Sequence, residues 1–329
     1  MLVYLLRRLA VSVPLALGVA TLVYLALEAA PGDPADLLLG ERPVPLEVRQ
    51  RLERAYGLDR GPVERYARWL GAVVLDGELG WSHSRSRPVA RVLADAVPPT
   101  AQLAAAALLL HLVAGVSLGV WSAMRPDGWI DRGLTLVGLI AYAMPTFWLG
   151  LMAILLLSYF VPVFPASSVE SVGAESWSWA HRGLDRVWHL ALPAGVLGLA
   201  SSAATLRFVR AGVLRTMGEQ FVRAARARGL GRGRLLWLHA LRHALLPVIN
   251  LVGLSLPALL SGSLVIEVVF AWPGMGRVTY DAIRAHDVPV VLAGTLLATV
   301  MVIAGNLLAD VGMAIADPRV RLGARGGGR

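Results

Sequence analysis

Residues 222–249 read VRAARARGLGRGRLLWLHALRHALLPVI. Six arginines and two histidines stand in this stretch with no carboxylate among them, in a chain whose mean hydropathy is +0.62. An arginine at the centre of a membrane-spanning helix costs about 2.5 to 3.5 kcal/mol, so six together cost roughly 15 kcal/mol or more. The stretch therefore lies outside the hydrocarbon. It does not read as an unstructured polar loop either. Glu219 to Arg228 is rich in helix formers, with Phe221, Val222 and Ala225 on one side, and Gly229 stands where a left-handed residue ends a helix. Beyond it Leu235, Leu238, Leu241 and Leu245 recur at helical spacing up to Pro247, where a new apolar run begins. The pattern is helix, glycine break, helix, set between two apolar segments.

Working outward, a bilayer core of ~30 Å needs about 20 apolar residues per helix. Six stretches meet that need: Leu9 to Leu27, Thr100 to Met124, Gly133 to Phe160, Trp188 to Leu206, Leu245 to Ile266 and Val288 to Ala309. The third is interrupted by Pro145 and reads as a kinked helix or as a helix followed by a re-entrant turn. The first follows Arg7 and Arg8 in the manner of a signal peptide, but its charge-free run is long for a signal core and no A-x-A-like site follows it cleanly. It reads as a retained span. The fold class expected is an all-α polytopic membrane protein with about six spans.

An even number of spans puts both termini on one side, and arginine bias selects that side. On this topology 17 arginines face the cytoplasm: Arg7 and Arg8, Arg125 and Arg132, nine from Arg207 to Arg242, and four in the tail. The two short outer loops hold Arg182, Arg186, Arg277 and Arg284. The long outer segment carries ten, but long loops translocate largely regardless of charge. Both termini and the opening stretch are thus expected in the cytoplasm. The chain divides into an N-terminus and first span (1–28), an outer segment (29–99), a five-span core (100–315) carrying the cytoplasmic stretch 219–243, and a tail (316–329).

The residue inventory removes several chemistries. All 31 basic residues are arginine and there is no cysteine. Without lysine there is no GxxxxGK[ST] phosphate loop and no Schiff base; without cysteine there is no thiol nucleophile, disulfide or thiolate metal site. In the outer segment, Pro45 to Tyr56 and Pro62 to Val73 each open with a proline suited to a first helical turn and carry apolar residues at helical spacing. They predict two small amphipathic helices. Trp177 and Trp179 in the loop after span three suit an interfacial aromatic belt.

Topology and lipid contact both contribute to the arginine stretch, yet neither explains a small-residue helix ended by glycine. Nucleic-acid binding lacks aromatic stacking platforms. A short helix clamped between two spans suits docking in another protein's cleft. Here the stretch resembles the coupling segment of ABC importer permeases, whose pattern is EAA, three residues, Gly, and a later Leu-Pro. Arg223, Ala224 and Ala225 occupy the first three positions, Gly229 follows, and Leu246 and Pro247 close it. Arg223 in place of glutamate and the long interval to Leu-Pro are similar to the oligopeptide, dipeptide and nickel branch. So are APGDPA at 30–35, GELGWS at 77–82, PTFWLG at 145–150, EVVFAWPGMGR at 267–277 and DPRVR at 317–321.

The resemblance implies a type I ABC importer permease fold and a transport subunit in a bacterial inner membrane. It implies a second permease, two cytoplasmic ATP-binding subunits that carry ATP and Mg, and an extracytoplasmic substrate-binding protein. No cofactor is expected on this chain. ATP-driven closure of the ATPases would draw Ala224 to Gly229 with it and rock the spans. The resemblance implies dipeptides or oligopeptides as substrate, with nickel or another small solute as the alternative.

Other constellations weigh less. Gly115, Ser117 and Gly119 spell GxSxG, but a nucleophile elbow needs a strand-turn-helix setting; Gly115 and Gly119 read instead as a small-residue packing face. His239 and His243 share a helix face, but the arginines around them disfavour a dication. A secondary transporter would show mid-membrane coupling carboxylates and related inverted halves, and neither is visible. Polar residues within spans are His111, Asn250, Glu267, Asn306 and Asp310. Glu267 with Trp272, Pro273, Gly274 and Gly276 reads as an outer gate, a pathway lining or a fixed turn.

Overall fold

A computed structural model describes the chain at residues 2–29, 45, 47–51, 59–236, 241, 248, 255, 259 and 263–316. Helix α1 covers Leu2–Glu28. α2 covers Pro62–Gly71, with Pro62 in its first turn, Glu64 near its start and Arg68 near its end, each placed as the helix dipole favours. A π-helical turn, Ala72–Asp76, continues it to Gly77 at φ +70°. Strands β1 (Trp81–Ser82) and β2 (Arg87–Pro88) form an antiparallel hairpin with Trp81 opposite Pro88. It leads directly into α3, Val89–Met124. Then come α4 (Trp129–Ala143), α5 (Thr146–Ile154) with a π turn over Leu155–Phe160, α6 (Trp179–Met217) and α7 (Gln220–Ala227). After a helical turn at Arg232–Leu235, α8 is Met275–Arg284 and α9 is Val288–Ala316.

Among the described residues, segments of α1, α3, α6 and α9 are long and apolar enough to cross a membrane. The third expected span is a bent pair, α4 with α5 and its π turn, meeting at 107°. Pro145 causes the break: it has no N–H to donate, and it forces Met144 out of the helical region to φ −81°, ψ 139°. The fifth expected span falls largely outside the described residues; those of it that are described, 248, 255, 259 and 263–266, are helical. α3 begins at Val89 and α6 at Trp179, well before the apolar runs expected at Thr100 and Trp188. At 1.5 Å per residue both exceed ~50 Å and project beyond a ~30 Å hydrocarbon core. Of the two expected outer helices, the second is α2 with its π turn; 47–51 of the first are helical and most of its remainder lies outside the described residues.

The chain forms two compact units. One comprises Leu2–Pro99 and Pro273–Met301. Its core joins Val89, Val92 and Leu93 to Met275, Val278, Val290 and Val291. α2 is fastened to α1 by a Tyr24–Tyr66 ring contact, the Tyr24 hydroxyl donating to the Pro62 carbonyl at 2.7 Å, and an Arg65–Glu28 ion pair at 2.5 Å. The hairpin is held by a buried carboxylate: Asp287 Oδ2 accepts from Ser82 Oγ (2.7 Å), Ser84 Oγ (2.8 Å) and Ser84 N (3.0 Å). Burial pushes the nearby His83 imidazole below its ordinary pKa, against the attraction of Asp287.

The other unit comprises Thr100–Trp272 and the chain from Val302. Leu103, Ala107, Leu192, Leu197, Ile266, Phe270 and Trp272 form its main core. Small residues let α3 and α6 approach closely. A Cβ at Gly115 would lie 2.7 Å from Thr205 Cβ, one at Gly119 2.8 Å from the Leu206 carbonyl, and one at Gly198 2.5 Å from the Ala107 carbonyl. Backbones at this separation have no room for any side chain. Along the same seam His111, buried, meets Thr205 Oγ1 through Nε2 at 2.9 Å. Ser117 sits on the exposed side of the unbroken α3, so it has no strand-turn-helix elbow.

Candidate functional site

The arginine-rich stretch builds a short, firmly seated helix. α7 follows α6 after only Gly218 and Glu219, and that joint is hydrogen-bonded: Gly218 N–H donates to the Leu214 and Arg215 carbonyls, Glu219 N–H to Thr216 (3.1 Å). Val222 and Ala225, three apart, turn inward onto buried Leu235, with Met217 and Leu230 beside them. The other face is open. Arg223, Ala224, Arg226, Ala227 and Arg228 are exposed, and Phe221, expected beside Val222 and Ala225, is instead 44% exposed and outside their cluster. Two arginines fold back onto backbone carbonyls, Arg223 Nε to Gly218 at 3.2 Å and Arg228 Nε to Ala224 at 3.4 Å. With no carboxylate from Gln220 to Leu235, the exposed surface is small-residued and uniformly cationic.

The helix ends in a Schellman motif. Leu230 N–H donates to the Ala225 carbonyl (3.3 Å) and Gly229 N–H to the Arg226 carbonyl (2.9 Å). Gly229 takes φ +88°, and a Cβ there would meet nothing within 4 Å. Glycine is thus required by backbone conformation, not by crowding within the chain. Of the six residues that carry the family pattern, Arg223, Ala224 and Gly229 are exposed around this end while Ala225 anchors the helix from beneath. Leu246 and Pro247 lie outside the described residues, as do Asn250, His239 and His243.

The second candidate region is more closed than its sequence indicated. Glu267 is fully buried and accepts from Thr100 Oγ1 at 2.7 Å. Its carbonyl accepts from Trp272 N–H at 2.8 Å, and Trp272 is itself buried in the main core. The left-handed residue of this turn is Ala271 (φ +51°), whereas Gly274 is extended and caps α8, with Gly276 in its first turn. Pro273 is exposed. Glu267 and Trp272 therefore make one tight, hydrogen-bonded corner. Thr100 was legible only as the lone hydroxyl opening an apolar run.

Sequence reasoning missed a third cluster beside the α6–α7 joint. Asp131, 3% exposed in the first turn of α4, receives a bidentate arginine: Arg210 Nε to Oδ1 at 2.7 Å and Arg210 Nη2 to Oδ2 at 2.5 Å. It also accepts from Ser122 Oγ and from Asp127 N–H (2.8 Å). In sequence Arg210 was one more positive-inside arginine, and nothing in its spacing pointed to a carboxylate 79 residues away.

These elements have counterparts in known proteins. Residues 115–322 match the family model for the binding-protein-dependent transport system inner membrane component, and residues 1–104 match the N-terminal model of the same systems. The oligopeptide transport system permease protein AppB of Bacillus subtilis (strain 168) is 38% identical over 318 residues, covering 96% of this chain and 98% of that protein. The dipeptide transport system permease protein DppB of Escherichia coli (strain K12) is 34% identical over 337 residues (98% and 99%). The di/tripeptide transport system permease protein DppB of Pseudomonas aeruginosa (strain UCBPP-PA14) is 35% identical over 338 residues (98% and 99%). Among solved structures, a chain of the MetNI methionine ABC transporter in an inward-facing conformation superposes with a TM-score of 0.53 at 17% identity, over 69% of this chain and 96% of that one, a likeness of fold. The chain belongs to the binding-protein-dependent transport system inner membrane components, the permease subunits of ABC importers.

Proposed function

We propose that this permease carries dipeptides or oligopeptides and that α7 is where the ATP-binding subunits dock. The observation that carries the docking reading is the division of α7 into two faces. Val222 and Ala225 fix it to its own chain, while Arg223, Ala224, Ala227 and the Gly229 turn are left bare. A small-residue, cationic helix end fits a cleft lined with carboxylates, and its hydrogen-bonded joint to α6 makes it a part that moves with the span and not a tether. ATP and Mg reside on the two docked subunits, because a chain without lysine lacks the phosphate-loop ammonium. A second permease completes the path, and an extracytoplasmic binding protein delivers substrate to the side opposite α7, with both termini on the side of α7. The peptide class rests on the names of the three relatives.

Co-expression with the ATP-binding subunits tests docking. Wild type retains them on purification, and Gly229→Asp loses them while the permease stays folded. Retention by both, or by neither, would sink the docking reading. Uptake of labelled dipeptide against labelled nickel by cells carrying the whole system tests the substrate. Nickel uptake without peptide uptake would move the chain to the nickel branch.

A further inference from the structure

We propose that the Arg210–Asp131 pair is the pivot through which motion of α7 becomes motion of the bent pair α4–α5; this rests on the docking reading above. A load applied to α7 cannot dissipate at its root. The two-residue joint is hydrogen-bonded, Arg223 reaches back to Gly218, and Met217 packs with Val222. The load enters α6, which runs without interruption from Trp179 to Met217. Arg210 lies two turns up from that end, ~10 Å along the axis.

At Arg210 the character of the α6 surface changes. The contact to α4 there is directional: two parallel N–H···O bonds to one carboxylate, which fix separation and angle together. The same carboxylate takes Ser122 from the end of α3 and the Asp127 amide from the α3–α4 turn, so three segments meet at one buried group. Farther along, α4 and α6 meet through small apolar residues. A Cβ at Gly138 would come 3.3 Å from Ala203 Cβ, and beside that contact Val137, Gly138, Ala141, Leu199, Ala200 and Ala203 help line an open apolar groove of about 510 Å³ that reaches α5. Apolar contacts of this kind carry no angular preference, so helices packed on them can shift by small shear steps. A directional polar joint at one end and a non-directional apolar seam beyond it form a hinge. Swinging α6 about Arg210 then displaces α4 and α5, bent at Pro145, relative to α6.

The test is the amount of labelled alanyl-alanine imported per ATP hydrolysed, in proteoliposomes holding the complete transporter and its binding protein. It compares wild type, Arg210→Lys, and the double variant Arg210→Met with Asp131→Leu, which keeps apolar volume and removes the joint. The double variant is expected to keep its ATP-binding subunits and to hydrolyse ATP, while peptide imported per ATP falls at least about fivefold, the lower end of ordinary coupling between sites. Arg210→Lys keeps the charge but not the fork, so its ratio falls by less. An unchanged ratio in the assembled double variant overturns the proposal. Should that variant not assemble, an unchanged ratio in Arg210→Lys overturns it equally. Loss of the ATP-binding subunits from wild type is read on the gel before any ratio is taken and brings down the docking reading itself.

Discussion

Two buried aspartates mark the starts of two helices, and they are satisfied in opposite ways. Asp131 in the first turn of α4 is met by a guanidinium, a hydroxyl and an amide. Asp287, just ahead of α9, is met by two serine hydroxyls and an amide, all on Oδ2, while its Oδ1 is buried without a hydrogen bond. Both gain from the positive end of a helix dipole. The difference lies in what each leaves behind when removed. Asp131 is half of a charge pair, so its loss strands a cation; Asp287 holds neutral donors, which lose only a hydrogen bond.

The isosteric pair Asp131→Asn and Asp287→Asn measures that difference directly. Asp131→Asn should destabilise the detergent-solubilised protein by about 3 kcal/mol, the low end for breaking a buried ion pair because Arg210 keeps partial exposure. Asp287→Asn retains an oxygen to accept from the serines and should cost about 1 kcal/mol or less. Equal losses in thermal unfolding would erase the contrast.

The next effect separates the Asp131 clamp from the seam between α3 and α6. Gly119→Leu drives a side chain toward the Leu206 carbonyl, 2.8 Å from the first added atom, and backbone on both sides has to shift. A cost of about 1 to 3 kcal/mol is expected. If Gly119→Leu and Asp131→Asn combine additively, clamp and seam act independently; a strong non-additive term would make them one cooperative unit. In the other unit Ser82→Ala removes one of three donors to Asp287 and should cost about 1 kcal/mol, read as faster hydrogen exchange confined to the hairpin.

These two anchors also show where sequence reading stops. The first, second, fourth and sixth spans, the bent third one, the helix breaks at Pro145 and Gly229, and the Gly115–Gly119 face were legible because each depends on local composition or on a residue's own backbone limits. Asp131–Arg210 and Ser82–Asp287 join residues 79 and 205 positions apart, and no periodicity reports such a distance. Ala225 illustrates a subtler gap. Helical spacing sets it on one side with Val222, but only the structure shows that this side is covered by Leu235 while Ala224 faces out. In the turn after Glu267 the left-handed residue is Ala271 and neither of the two glycines, which no sequence pattern marks.

Exposure is the remaining variable, and Glu170 isolates it. This carboxylate in the loop before α6 also takes arginines, Arg182 through two bonds of 2.7 Å and Arg186 at 3.0 Å, yet its side chain is 23% exposed where that of Asp131 is 3%. Hydrogen bonds from Arg182 and then Arg186 hold its pKa down to about 2 from the ordinary 4.5. A depressed carboxylate stabilises the folded loop at pH values above 4.5, and that contribution is lost as pH falls toward 2. The carboxyl ¹³C shift of glutamate-labelled protein should give this low midpoint, and Arg182→Gln should raise it toward the ordinary value. Salt supplies the contrast with Asp131. At 1 M the screening length falls to about 3 Å, so the Glu170 midpoint climbs, whereas the stability gap between wild type and Asp131→Asn holds because the pair is shielded from ions. A Glu170 midpoint indifferent to salt would place its bonds in a setting as enclosed as that of Asp131, and the distinction between the two arginine-held carboxylates would fall.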